Sequence, residues 1–92
     1  MTPTERKALK ARAHKLEPVV IIGSKGLTDA VIAEIDLALK AHELIKVRAP
    51  TMEREQRAAA RADICARTGA EPVQQVGKVF VLFRKNAAGA KA

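Results

Sequence analysis

The feature that most constrains the fold is a run of four β-branched residues, Val19 to Ile22, which lies between Pro18 and the sequence Gly23-Ser24-Lys25-Gly26. Proline disfavours helix at the residue before it, and Val and Ile favour strands. Because the run has no polar alternation, it predicts an inner strand that is covered on both faces. The glycines end this strand, and Thr28 is a good N-cap for a following helix. The segment therefore predicts a strand, a tight loop and a helix start.

A helix is predicted on each side of this strand. Residues 4–16 are good helix formers, and at 100° per residue Leu9, Ala13 and Leu16 gather on one packing face. The helix after the glycine loop carries an apolar stripe and fades near Ala41. Both helices can therefore bury one side against a sheet.

A second strand is predicted over residues 44–49. One of its faces is apolar, with Ile45 and Val47, and the other carries two basic residues, Lys46 and Arg48. One face of the sheet is therefore predicted to be partly basic.

The third predicted helix is rich in alanine, begins at a cap on Thr51 and is ended by Gly69. Its buried side is predicted to include Met52, Ala59, Ala62, Ile64 and Cys65. Small alanine side chains permit close packing of this helix on a sheet.

The last two strands, residues 72–76 and 78–84, predict an antiparallel hairpin that turns at Gly77. The order is α-β-α-β-α-β-β. Parallel strands require right-handed crossovers, and the hairpin adds an antiparallel pair. The prediction is a single α/β (α+β) domain, residues 1–85, with a mixed four-stranded sheet packed with three helices. Residues 86–92 are predicted to be a frayed tail.

Positive charge is concentrated towards both ends of the sequence. Seventeen Lys and Arg residues stand against ten Asp and Glu, which gives a formal net charge of +7. Residues 1–25 and 77–92 each carry +4, whereas residues 26–45 carry −3. Such a distribution favours a polyanionic partner. On the first helix the basic face consists of Arg6, Lys7, Lys10 and His14.

The Gly23-Ser24-Lys25-Gly26 sequence is the strongest candidate for a binding site. Glycines lack a Cβ and let an anionic backbone approach the main chain, while amide groups at a helix start carry the positive end of its dipole. The GXXG loop of KH domains clamps nucleotides in this way. A tight structural turn would also need glycine, and Asp29 would compete with a phosphate for the helix terminus. The motif alone leaves both interpretations open.

Residues suited to catalysis are few. Cys65, His14 and His42 are widely separated on predicted helices or their ends, and neither CxxC nor paired His ligands occur. The glycine loop fits neither the GxGxxG nor the P-loop pattern. We therefore predict no catalytic residue, no metal, no cofactor and no small-molecule substrate.

Even the longest uninterrupted apolar run in the sequence, Val79 to Phe83, is far shorter than a membrane span, so no membrane association is predicted. A single cysteine and the absence of a hydrophobic leader predict a cytoplasmic protein.

Several stretches of sequence together resemble one family. They are residues 16–28 (LEPVVIIGSKGLT), 33–35 (AEI), 42–47 (HELIKV), 69–70 (GA), 76–78 (VGK) and 81–84 (VLFR). Spanning about residues 5 to 85, they resemble the CRM domain, specifically its single-domain bacterial YhbY type. The one departure is Phe83, where that family would lead us to expect Tyr.

The resemblance implies an RNA-binding module associated with precursors of the large ribosomal subunit. It implies a fold similar to the C-terminal domain of a bacterial translation initiation factor, and an RNA-contacting loop formed by Gly23, Ser24, Lys25 and Gly26. Charge, and not a family motif, adds further candidates on the first helix and second strand: Arg6, Lys7, Lys10, His14, Lys46 and Arg48.

The mode of binding is predicted from the scarcity of aromatic residues. Phe80 and Phe83 have opposite parity in the last strand, so they cannot form a stacking platform together. We therefore expect recognition of folded RNA through phosphates and shape. The alternative is a module that docks on a ribosomal protein or assembly particle without contacting RNA. The sequence predicts neither the RNA segment nor the oligomeric state.

Overall fold

The elements occur in the order that the sequence predicts. The structure, a computed structural model, describes residues 1–85, so the tail predicted at residues 86–92 lies outside the described residues. The elements are α1 (Pro3–Ala13), β1 (Val20–Ile21), α2 (Asp29–His42), β2 (Leu44–Arg48), α3 (Arg54–Thr68), β3 (Glu71–Val76) and β4 (Val79–Phe83).

The four strands form one mixed sheet in the order β1-β2-β4-β3, as the fold-class prediction requires. β1 and β2 are parallel, with Val20 opposite Val47, whereas β4 is antiparallel to both β2 and β3. A register irregularity lies between Pro72 and Gln74. The hairpin prediction for β3 and β4 is confirmed.

The prediction that β1 is an inner strand covered on both faces is wrong. β1 lies at the edge of the sheet. Val20 and Ile22 are buried, but Val19 is 47% exposed and Ile21 is 58% exposed on the opposite face. A run of β-branched residues gives the same sequence pattern whether one face of the strand or both faces are covered. The position of a strand in a sheet is set by partners that are distant in sequence.

Helices cover the two faces of the sheet unequally. On one face α2 and α3 contribute Ile35, Leu39 and Ile64 to the main core, which includes Phe80. On the other face α1 packs alone; its smaller cluster contains Leu9, Ala13, Leu44, Val73 and Val81, with Phe83 packed against it. The two phenylalanines thus lie on opposite faces, as their parity predicts.

The helix boundaries depend on local capping. The Thr28 Oγ1 accepts a hydrogen bond from the Val31 amide (3.2 Å), which confirms the cap of α2. Gly69 ends α3 in the left-handed conformation (φ 76°), as predicted. The predicted cap at Thr51 is wrong: the N-cap of α3 is Glu53, whose amide donates to the Gln56 Oε1 (2.8 Å).

Two predicted packing faces are also corrected. α1 ends at Ala13, so Leu16 lies beyond the helix and is 37% exposed. On α3, Ala59 and Ala62 are exposed, and the buried positions are Ala60, Ile64 and Thr68. Alanine-rich sequence offers little apolar contrast, so it does not define which side of the helix is buried. Met52 and Cys65 are half-buried and pack against the core.

Candidate nucleic-acid interface

The Gly23–Gly26 loop joins the end of β1 to the start of α2 and is held by two short-range hydrogen bonds. The Gly26 amide donates to the Gly23 carbonyl (3.1 Å), and the Thr28 amide donates to the Gly26 carbonyl (3.1 Å). Neither bond uses the amides of Ser24 or Lys25. Gly23, Ser24 and Lys25 are exposed, so the tip of the loop is accessible to a ligand.

The two glycines of the loop differ in what the fold requires of them. Gly26 has a φ of +74°, a conformation that residues with a Cβ rarely adopt. Gly23 does not have a positive φ, and a Cβ built there would meet no atom within 4 Å. The turn therefore explains Gly26 but not Gly23. Because Gly23 has no Cβ, another molecule could approach its backbone closely.

The N-terminus of α2 carries one carboxylate in its first turn, that of Asp29. Its Oδ1 lies 3.7 Å from the Arg67 Nη1, and the Asp29 side chain is fully exposed. An ion pair this exposed contributes little to stability, because solvent screens it. Arg67 nevertheless offsets part of the repulsion between Asp29 and an incoming phosphate.

The strand order brings further basic residues close to the loop. They lie at the loop edge, by which we mean the end of the sheet where β1 and β2 finish and β4 begins. β1 and β2 are parallel, so Arg48 ends β2 beside the start of the loop, and its carbonyl accepts from the Ile22 amide (2.8 Å). The Lys78 carbonyl, in the β3–β4 turn, accepts from the Ala49 amide (2.7 Å). Lys25, Arg48 and Lys78 therefore lie along one edge.

Lys78 was not among the residues predicted from the sequence. Lys78 follows Gly77, so its position in a hairpin turn can be recognised in the sequence. Its place near the glycine loop, however, depends on the pairing of β4 with β2. That pairing joins distant segments and is not visible in the sequence.

The basic face of α1 divides into residues with different roles. The Arg6 Nη1 donates to the carbonyls of Pro72 (2.9 Å) and Val73 (3.0 Å), so this guanidinium ties α1 to β3. Lys7 is exposed on the helix surface. Lys10 and His14 line a groove with Lys46, at the place where α1 ends over the sheet.

The α2 face of the molecule differs in charge from the loop edge. Asp36 on α2 pairs with Lys40 (3.3 Å) and with Arg84 (2.6 Å). The hydrogen bond from Arg84 is the main cause that lowers the pKa of the Asp36 carboxyl. Asp36 and Arg84 are thus engaged within the protein, whereas exposed basic side chains lie at the loop edge (Lys25, Arg48 and Lys78) and on α1 (Lys7).

The thiol of Cys65 and the imidazole of His14 are not brought together by the fold. Cys65 lies on α3 and His14 at the end of α1, on opposite faces of the sheet, and burial raises the pKa of the Cys65 thiol. Within residues 1–85, no three His, Cys, Asp or Glu side chains are grouped so that they could hold a metal ion. No helix in that part of the chain is long and apolar enough to cross a membrane.

Several proteins of known sequence resemble the chain over nearly its full length. A probable RNA-binding protein of Pseudomonas aeruginosa is 41% identical over 86 residues, which cover 94% of this chain and 83% of the relative. An RNA-binding protein of Haemophilus influenzae is 42% identical over 84 residues, covering 91% of this chain and 85% of the relative.

A solved structure and a family model agree with these relatives. The solution structure of a hypothetical protein from Staphylococcus aureus superimposes with a TM-score of 0.82 at 28% identity, covering 95% of this chain and 91% of that one. The family model for the CRS1 / YhbY (CRM) domain matches residues 1–84. A match over this length, on the same fold and with an exposed glycine loop between β1 and α2, shows that the chain belongs to the CRS1/YhbY (CRM) domain family.

Proposed function

We propose that this protein binds RNA by gripping phosphates with the Gly23–Gly26 loop and the neighbouring basic side chains, and that its target is rRNA in precursors of the large ribosomal subunit. The observation that carries the proposal is the exposed loop, which has a bare backbone at Gly23 and lies on the same edge of the sheet as Arg48 and Lys78. Relatives named RNA-binding proteins support the choice of polymer. A catalytic role is not part of the proposal.

The loop offers a phosphate two kinds of favourable contact. The amides of Ser24 and Lys25 take no part in the turn's own hydrogen bonds and can donate to phosphate oxygens, close to the positive end of the α2 dipole. Lys25 adds a full charge at the exposed tip, and the Lys10 and Lys46 side chains extend positive charge along the α1 side, where His14 lines the same groove. These contacts read charge and shape, and they do not require particular bases.

A ribosomal target would require a cytoplasmic protein. A single half-buried cysteine agrees with a reducing compartment. We therefore propose that the protein is cytoplasmic.

Charge reversal at the loop tests the proposal. We expect Lys25→Glu to weaken binding to large-subunit rRNA fragments by at least about tenfold, because a phosphate contact is lost and a repulsion is added. Filter binding measures this change. The matched control is Lys40→Glu, which makes the same change in net charge on α2, where Lys40 pairs with Asp36 away from the loop.

The control separates a local contact from a general effect of net charge. Equal weakening by Lys25→Glu and Lys40→Glu would mean that only the total charge matters, and the loop would not be the binding site. Association with ribosomal particles that survived Lys25→Glu after RNA affinity was lost would favour docking on a protein instead.

A further inference from the structure

A row of side chains crosses the whole sheet on the face that α1 shares. The register places Ile21 opposite Arg48, Arg48 opposite Val79, and Val79 opposite Val76. At about 4.8 Å between neighbouring strands, this row is about 14 Å long. It lies at the loop edge of the sheet, because Ile21 comes just before the glycine loop and Val76 and Val79 flank the β3–β4 turn.

α1 leaves the two ends of this row exposed, and Val79 between them is half-buried. The buried residues of α1, Leu9 and Ala13, pack in the cluster that contains Leu44, Val73 and Val81, and the helix then ends. As a result, Ile21 is 58% exposed and Val76 is 59% exposed. Apolar side chains grouped on a surface and surrounded by polar ones commonly mark an interaction site.

The surroundings of the row are basic. Arg48 lies within it, and the adjoining groove, of about 490 Å³, is lined by Lys10, His14 and Lys46 as well as by Val76 and Val79. The groove lining contains one carboxylate, that of Glu17. Ile21, Val76 and Val79 form the apolar floor of this surface, and its basic rim consists of Arg48, which lies between Ile21 and Val79, and of Lys10 and Lys46 in the groove. Such a surface fits a partner that has flat apolar parts joined by negative charges.

Unpaired nucleotides have this chemistry, whereas a duplex does not. In paired RNA the base faces are stacked inside the helix, so a protein meets mainly phosphates and 2′-hydroxyls, and an aliphatic floor would contact nothing apolar. An unpaired segment can lay its bases on the floor while its phosphates reach the basic rim. Because the floor has no aromatic side chain, this contact is apolar packing with little preference for one base.

We propose that the surface formed by Ile21, Arg48, Val76 and Val79 holds a short run of unpaired nucleotides next to the segment whose phosphates lie on the Gly23–Gly26 loop. The inference rests on the proposed RNA-binding function and narrows it to RNA with a single-stranded segment beside a folded one. The floor and the loop share one edge of the sheet, so one RNA strand can occupy both.

Two RNA probes test the inference: a blunt hairpin, and the same hairpin with a single-stranded uridine extension. The wild-type protein is expected to bind the extended hairpin more tightly. The double variant Ile21→Ser, Val76→Ser removes apolar area without changing charge. It should lose about fivefold to tenfold in affinity for the extended hairpin and retain its affinity for the blunt one.

Two controls accompany the double variant. Leu37→Ser changes a leucine on α2 that is 65% exposed, and it should leave both affinities unchanged. Lys25→Glu should weaken binding to both hairpins, because the loop contacts phosphates in either case. Thermal melting of each variant checks that the fold is retained, which is expected for side chains this exposed.

Each outcome separates the inference from the function on which it rests. If the double variant bound the extended hairpin as tightly as the wild type while Lys25→Glu weakened both hairpins, the floor would not hold nucleotides and the loop proposal would stand. If Lys25→Glu changed neither affinity, the loop proposal itself would fail. A double variant that lost particle association with both RNA affinities intact would assign the floor to a protein segment and overturn the inference.

Discussion

At the scale of single residues, the two loop glycines give a direct way to separate structure from binding. Gly26→Ala places a Cβ at a φ of +74° and should lower the free energy of unfolding by about 1–2 kcal/mol. Gly23→Ala meets open space and should leave stability unchanged or raise it by up to about 1 kcal/mol, because the unfolded chain loses freedom. Gly23→Ala should nevertheless weaken RNA binding, since a methyl group would separate the backbone from a phosphate.

Urea unfolding and filter binding on the same two variants measure both effects. If Gly23→Ala destabilised the protein as much as Gly26→Ala and left RNA affinity unchanged, both glycines would be needed only for the turn. The sequence alone could not make this distinction, because the sign of φ and the space around each Cα are properties of the folded loop.

At the scale of elements, Arg84 joins three segments at the end of β4. Its Nη1 donates to the Asp36 Oδ1 on α2 (2.6 Å) and to the Thr68 carbonyl at the end of α3 (2.7 Å), and its side chain is only 18% exposed. Arg84→Met should therefore lower the free energy of unfolding by about 2–3 kcal/mol, because it leaves these acceptors without their donor.

The same contact predicts a dependence on pH. Arg84 lowers the pKa of Asp36 in the folded state, so the unfolded state binds the proton more readily. The stabilisation is therefore fully present above the ordinary value of 3.8 and is lost as the pH falls through the lowered folded value. Urea unfolding between pH 2 and pH 7 should show a smaller loss of stability in acid for Arg84→Met than for the wild type. Parallel curves for the two proteins would contradict this account.

The elements also show where sequence reasoning succeeds. Thr28, Gly69 and the hairpin turn at Gly77 act through neighbours a few residues away, and the boundaries predicted from them agree with the structure to within a residue or two. The edge position of β1 and the exposure of Leu16 depend on partners distant in sequence, and both were predicted wrongly. Local capping chemistry is visible in a sequence, whereas strand order is not.

The candidate site shows the same division between local and long-range information. The glycine loop and its place between a strand and a helix could be predicted, because consecutive residues define them. The contact of Arg6 with the β3 carbonyls and the approach of Lys78 to the loop edge could not, since both depend on how the strands pair. The basic residues predicted from the sequence therefore include Arg6, which ties α1 to β3, and omit Lys78, which lies at the loop edge.

At the scale of the whole molecule, the central feature is an uneven distribution of charge over a small domain. The glycine loop, the end of β2 and the groove beside α1 carry accessible basic residues, while Asp36 on α2 is held in internal ion pairs with Lys40 and Arg84. A molecule with this distribution should bind a polyanion with one side. Counterions are released from the RNA when its phosphates are neutralised, so affinity should fall steeply as salt rises.

The salt dependence of binding tests the central claim most directly, because it counts the phosphates that the protein neutralises. Affinity for an rRNA fragment is measured by filter binding over a range of salt concentrations, for the wild type and for Lys25→Glu. The phosphate-binding account predicts a steep fall for the wild type on a plot of log affinity against log salt, and a slope shallower by about 1 for Lys25→Glu. A flat plot for the wild type, or identical slopes for the two proteins, would contradict it.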